Sequence, residues 1–311
     1  MTENFTITSR FADPKVDFAF KRIFGTEKYK QATIGLLNSI ITDHHIVDLT
    51  FLNVELQGLT EKNRKAFIDV LCTDQDGYTF VCEMQNWAHS HFLERMVFYS
   101  SVLIANSAIK GREWKFGLKP TCIVAILNFD VAEVASLKPL PGAYIRKYSC
   151  REVQTNEKLP ASPEYYFVEL KKFNKSASEL ANDMEKWLFL LVKAGSLSEI
   201  PGGLDDREPF KAFFEASETA AFTNEESIKY AEDMMTEWDI NCAFEDHEAK
   251  GRAEGLAEGL AVGREEGREE GREEGKSLAL KETARKMLED GLSPEVVSKY
   301  TGLEQNVIER F

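Results

Sequence analysis

The sequence predicts an α/β protein built on a mixed sheet. Three observations lead there: two strand-like runs meeting at a tight turn near Gly77, a continuous apolar run over 121–128, and helical periodicity before, between and after these strands. A chain of 311 residues with 43% apolar content has ample material for a buried core.

The elements follow in order. Over residues 15–41 apolar side chains recur at helical intervals, Val16, Phe20, Ile23 and Phe24, then Ile34, Leu37, Ile40 and Ile41, so two helices are expected with a break near Gly25. Residues 48–56 change to a strand pattern, and 65–73 and 78–86 repeat it as the halves of a hairpin. If Gln75-Asp76-Gly77 is a three-residue loop with Gly77 left-handed, Asp74 pairs with Tyr78 and Asp69 stands opposite Glu83. A loop of even length would shift the pairing by one residue. Alternation then sets Asp69, Glu83 and Gln85 on one face, with both carboxylates in mid-strand.

Residues 92–109 return to helical spacing, with Phe92, Met96, Tyr99, Val102 and Leu103 along one side. The run at 121–128 reads as a strand covered on both faces, and 144–150 and 165–170 as further strands. An amphipathic helix is expected over 173–194. More helices, rich in Glu and Phe, follow over 205–242, and we expect them to form a subdomain beside the sheet.

Glycine then recurs every fourth residue from Gly251 to Gly275, in units that become Arg-Glu-Glu-Gly. Each glycine costs a helix about 1 kcal/mol relative to alanine, whereas each Glu–Arg pair returns only about 0.2–0.5 kcal/mol. Two readings follow: a helix whose bare stripe lets a second chain approach closely, or a flexible solvated linker. Beyond it, residues 278–288 read as helical, Gly291 as their end, Ser293-Pro294 as a new helix start, and Thr301-Gly302 as a break before a last short helix. A helix-turn-helix is one reading of that end. Its charge of 5 Lys+Arg against 6 Asp+Glu favours an oligomerisation or docking module equally.

Charge divides unevenly. Residues 1–182 hold 22 Lys+Arg against 21 Asp+Glu, and residues 183–311 hold 16 against 31. A polyanion would be repelled by the second part but admitted by the first, so the overall net charge of −14 does not exclude nucleic acid. The five cysteines, Cys72, Cys82, Cys122, Cys150 and Cys242, never form C-x-x-C and are expected to be reduced core thiols. Neither a signal peptide nor an apolar membrane span is evident, which predicts a cytoplasmic protein.

The chemistry centres on Asp69 and, fourteen residues later, Glu83-Met84-Gln85. Two carboxylates converging from adjacent strands are costly to bring together unless a cation neutralises them, and hard oxygen ligands suit Mg²⁺ or Mn²⁺. Such an ion lowers the pKa of a bound water and stabilises charge on a phosphodiester. The plainer alternative is the solvent face of a hairpin. Ile68, Val70, Val81 and Cys82 as neighbours argue against it.

The chain resembles the bacterial recombination-promoting nucleases and transposases of the PD-(D/E)xK superfamily. The matching pieces are residues 14–21 with Phe24-Gly25, Asp69, Asp76-Gly77, Glu83-Met84-Gln85, Arg95 and Tyr99, then Leu170-Lys171-Lys172-Phe173, Glu185-Lys186-Trp187, the glycine repeat and Thr301-Gly302-Leu303. The resemblance implies a restriction-endonuclease-like mixed sheet flanked by helices, followed by a helical region and a helical tail. It implies a metal-dependent endonuclease acting on DNA in recombination, transposition or mobile-element processing. Asp69 and Glu83 would hold Mg²⁺ or Mn²⁺, Gln85 stands where the superfamily has lysine, and Asp17 would be an accessory acid. Lys21, one turn on, would return the missing positive charge. Gln85 can act neither as a base nor as a cation, which leaves water activation to the ion and Lys21.

Arg95 and Tyr99 lie four apart on one helix face, where they would contact a DNA phosphate or orient the motif; Tyr99 reads equally as a core aromatic. Glu55 reads as an ordinary strand charge or a further acidic neighbour, and His89 and His91 as surface histidines or substrate contacts. The expected organisation is a nuclease-like domain over 1–182, an acidic helical subdomain over 183–244, the repeat over 245–276 and a helical module over 277–311. The competing function is a catalytically weak nuclease fold that binds DNA or a protein, with the tail mediating homo-oligomerisation.

Overall fold

Eight strands form among the residues that the computed structural model describes, 9–56, 66–89, 91–107, 117–135 and 137–311. They are β1 (Leu49–Phe51), β2 (Glu55–Leu56), β3 (Ala66–Phe67), β4 (Val70–Asp74), β5 (Thr79–Gln85), β6 (Thr121–Leu127), β7 (Ile145–Ser149) and β8 (Glu164–Glu169). Six make one mixed sheet in the order β1-β4-β5-β6-β8-β7, and β2 and β3 pair separately. β5, β6 and β8 are mutually parallel, whereas β1 with β4, β4 with β5 and β7 with β8 are antiparallel.

The helices are α1 (Asp17–Phe24), α2 (Lys30–Ile40), α3 (Phe92–Asn106), α4 (Val131–Ala135), α5 (Asp183–Lys193), α6 (Glu208–Ser217), α7 (Asn224–Glu289), α8 (Pro294–Thr301) and α9 (Gln305–Ile308). This is the mixed α/β sheet flanked by helices that the residue pattern predicts.

Strand alternation sorts the core into two layers. Val70, Cys72, Phe80, Cys82, Met84, Cys122, Val124 and Ile126 face one side, where they meet Phe20, Ile23 and Phe24 of α1, Leu36 and Leu37 of α2, Trp187 of α5 and Phe213 of α6. Leu71, Val81, Ile123, Ala125 and Leu127 face the other, against Phe92, Met96, Tyr99, Val102 and Leu103 of α3. Every residue of β6 is buried, as befits a parallel strand covered on both faces.

The hairpin takes the three-residue loop. Val70 pairs with Cys82 and Thr73 with Thr79, while Gly77 sits at φ +80°, the left-handed conformation that spares a side chain. The same register sets Asp69 opposite Glu83.

Three expectations need correction. Asp69 is not in mid-strand but in the bend between β3 and β4. The helix expected over 173–194 is only α5, because Asn182 accepts the Glu185 N–H at 3.0 Å and starts the helix there, while Ser176 and Glu179 form a capping box around a separate 3-10 turn. Nor are all cysteines core thiols: Cys72, Cys82 and Cys122 are buried, but Cys150 is exposed and Cys242 half-buried.

Contacts divide the chain into two units, Met1–Glu237 and Trp238–Phe311. In the first, the aromatic residues of α5 and α6 belong to the same core as the sheet. In the second, the glycine repeat is helical throughout, within α7, and a Cβ added at any of its seven glycines would meet nothing within 4 Å. Ala284, Val297 and Ile308 form a small core at the end of this unit with Met287, Leu288 and Leu303. Gly291 and Gly302, at φ +86° and +72°, stop α7 and α8.

Candidate functional site

Glu83 and Gln85, as odd-numbered residues of β5, point to the α3 side of the sheet at the carboxyl end of the strand. Glu83 is 3% exposed. Its Oε1 accepts the Asp69 N–H at 3.1 Å, and Met84 N–H donates in return to Asp69 Oδ2 at 2.9 Å. Gln85 Nε2 donates to Glu83 Oε2 at 3.1 Å, and the Arg95 guanidinium of α3 donates to Gln85 Oε1. One cross-strand pair and one helix turn thus assemble two carboxylates, an amide and a guanidinium.

A second cation comes from α1. That helix buries Ala19, Phe20, Ile23 and Phe24, which leaves Asp17 and Lys21, four apart, on its outer face. Lys21 Nζ stands 2.6 Å from Asp17 Oδ1 and 3.6 Å from Asp69 Oδ1. Burial opposes the charge on Lys21, but Asp17 and Asp69 outweigh it and hold the ammonium above its ordinary range.

The electrostatics leave a deficit of positive charge. Burial, reinforced by Asp69, pushes Glu83 up to about 8, against the pull of the Asp69 N–H, Arg95 and Lys21. Asp69 is likewise raised, chiefly by burial, although the Met84 N–H and Lys21 favour its charge. Carboxylates with raised pKa values in a shared site mark a candidate functional centre. An oxygen-rich donor set lacking one positive charge fits a hard divalent cation, and Asp69 and Glu83 are the residues that would hold it.

Of the sequence-derived candidates, the structure brings together Asp17, Lys21, Asp69, Glu83, Gln85 and Arg95. Tyr99 is buried in the apolar cluster under α3, the core-aromatic alternative. His89 is exposed, and His91 is largely exposed with Glu94 at 3.9 Å. Glu55 lies on β2, opposite Phe67 of β3.

Sequence reasoning missed one cluster. Among the described residues, His44, Asp74 and Asp76 are the trio whose ligand atoms lie within 4.8 Å of one another, at the far end of the same hairpin. Turn structure accounts for it: Asp74 Oδ1 accepts the N–H groups of Asp76 at 3.0 Å and Tyr78 at 2.9 Å, while its Oδ2 meets His44, whose ring stacks on Tyr78 at 4.0 Å. Proximity of Asp74 to the Gly77 turn was the available signal.

A mixed sheet carrying acidic residues on an antiparallel hairpin, with helices on both faces, defines a restriction-endonuclease-like nuclease fold. The family model described as PD-(D/E)XK nuclease family transposase matches residues 14–247, and the chain belongs to that family. No curated protein and no solved structure matches it.

Proposed function

We propose that the protein is a cytoplasmic, divalent-metal-dependent endonuclease that hydrolyses phosphodiester bonds in DNA during recombination, transposition or mobile-element processing. The observation that carries this reading is the interlocked Asp69–Glu83 pair, Glu83 buried and Asp69 half-buried, whose carboxyls are short of a positive charge. Membership of a nuclease family supplies the substrate class.

Asp69 and Glu83 would hold Mg²⁺ or Mn²⁺. When bound, such an ion supplies a water of lowered pKa and charge stabilisation at the phosphate. The chain's own groups then divide the remaining work. Gln85 keeps Glu83 Oε2 oriented and is itself fixed by Arg95, which makes it an orienting group and never a proton acceptor. Lys21 keeps its proton and presents an ammonium beside Asp69, where it can meet a phosphate oxygen, with Asp17 holding it in place. Arg95 is the further candidate for a DNA phosphate. Tyr99 supports that helix from below.

A second reading is favoured by the lysine-to-glutamine departure at Gln85 and by the exposed Leu256, Leu260 and Val262 beside the glycine repeat. In it, a catalytically weak nuclease fold binds DNA or a protein while the tail forms homo-oligomers. Nicking of supercoiled plasmid in Mg²⁺ or Mn²⁺ separates the two. The nuclease reading expects cleavage to fall at least 100-fold in Asp69→Asn and Glu83→Gln with Tm preserved. DNA binding by the wild type with no nicking in either metal favours the second reading.

A further inference from the structure

The start of α7 grips the elements that carry the candidate site. Glu226, Tyr230, Asp233 and Glu237 recur at spacings of four, three and four, so they share one helical face. Glu226 pairs with Arg22 of α1. Tyr230, fully buried against Phe18 and Phe222, accepts the Asp13 N–H on its hydroxyl at 2.8 Å. Asp233 Oδ2 accepts the Phe18 N–H at 3.1 Å, supplying α1 with the cap that Val16, at its N-cap position, has no side-chain oxygen to provide.

Glu237 reaches the other element. Its Oε1 accepts from Asn86 Nδ2 at 2.8 Å, and the same amide donates to the Lys15 carbonyl at 2.7 Å. Both partners are acceptors, so the amide cannot be turned around. Its Oδ1 is consequently left buried with no partner, a desolvation cost that the contacts to Glu237 and Lys15 must offset. Asn86 directly follows Gln85. One residue therefore ties the end of β5 both to the approach of α1 and to α7.

We propose that Asp233 and Glu237 are positioning residues for the Asp69–Glu83 centre. Asp233 fixes the first turn of α1, so that Asp17 and Lys21 stand against Asp69. Glu237, acting through Asn86, fixes the end of the strand that presents Glu83 and Gln85. Neither touches the ion or the DNA. The proposal rests on reading Asp69 and Glu83 as the working centre, and its test has a readout that does not depend on cleavage.

The test uses the full chain in four variants: Asp233→Ala and Glu237→Ala, which remove the acceptor, and Asp233→Asn and Glu237→Gln, which keep an acceptor oxygen. Amide hydrogen exchange is followed at Asp69 and Met84, whose N–H groups bond to the site carboxylates, alongside Mg²⁺-dependent plasmid nicking. The alanine variants should speed exchange at these amides at least tenfold and lower kcat at least tenfold with KM within twofold of wild type. The asparagine and glutamine variants should recover most of both. Wild-type exchange at both amides in the alanine variants overturns the proposal, as does unchanged kcat, or failure of Asp233→Asn and Glu237→Gln to recover. If the wild type does not nick DNA, exchange alone decides: loosened amides keep the positioning role while the nuclease reading falls. Should Glu237→Ala fail to fold, Glu237→Asp, which withdraws the acceptor from Asn86 and leaves the Asn86–Lys15 bond in place, is read instead.

Discussion

Buried to 3% exposure, and with the Asp69 carboxylate beside it, Glu83 is pushed up to about 8 from the usual 4.5. Between those two values the folded chain binds more protons than the unfolded chain, so stability falls as pH rises across that window. The metal-free protein should therefore lose several degrees of Tm between pH 5 and pH 8. Mn²⁺, which favours the ionised pair, should restore them at pH 8 and do nothing in Glu83→Gln. Thermal melts at three pH values with and without Mn²⁺ check this; a metal-free Tm that rises with pH would contradict it. The same residue explains why Gln85 suits its place. An amide donates to the Glu83 carboxylate without adding charge, and it leaves the cationic role to Lys21 and Arg95.

At the scale of elements, glycine carries opposite consequences in two helices. In α2, a Cβ on Gly35 would stand 2.4 Å from Pro209 Cβ and 2.9 Å from the Trp187 ring, because α2 lies tightly against α5 and α6. Gly35→Ala should destabilise the fold by about 1–3 kcal/mol through overpacking, more than the helix propensity it gains. Gly263→Ala, with open space around it, should stabilise its helix by about 1 kcal/mol. Urea midpoints for the first and circular dichroism melts for the second would expose either sign as wrong.

What the sequence made legible follows from the range over which its signals act. The Gly77 turn and the period-two strand pattern carry the Asp69–Glu83 register, and helical spacing carries Asp17 with Lys21, because each involves neighbours along one element or one hairpin. The start of α5 was missed because the apolar periodicity reaches back to Phe173, whereas the local Asn182 cap decides the boundary. The Asp233 and Glu237 contacts were invisible for a different reason: they lie 215 and 151 residues from their partners, and no local pattern encodes a pairing made only in three dimensions.

For the whole molecule, charge and the tail set how the protein meets its partners. Residues 1–182 are nearly neutral and residues 183–311 strongly acidic, so a polyanion is steered towards the first part, and salt should weaken the discrimination. If the tail assembles copies of the chain, Leu256→Glu with Leu260→Glu should reduce the mass seen by light scattering to that of one chain. An unchanged mass removes the tail from assembly. The helical repeat also limits what such an assembly can look like. Glycine returns every four residues while an α-helix turns in about 3.6, so the bare line advances about 40° around the axis with each unit. Seven glycines thus trace a right-handed spiral over most of the helix circumference instead of one straight furrow. A straight companion helix can lie against only two or three of them before it must cross away, so the repeat presents a succession of brief footholds facing different directions.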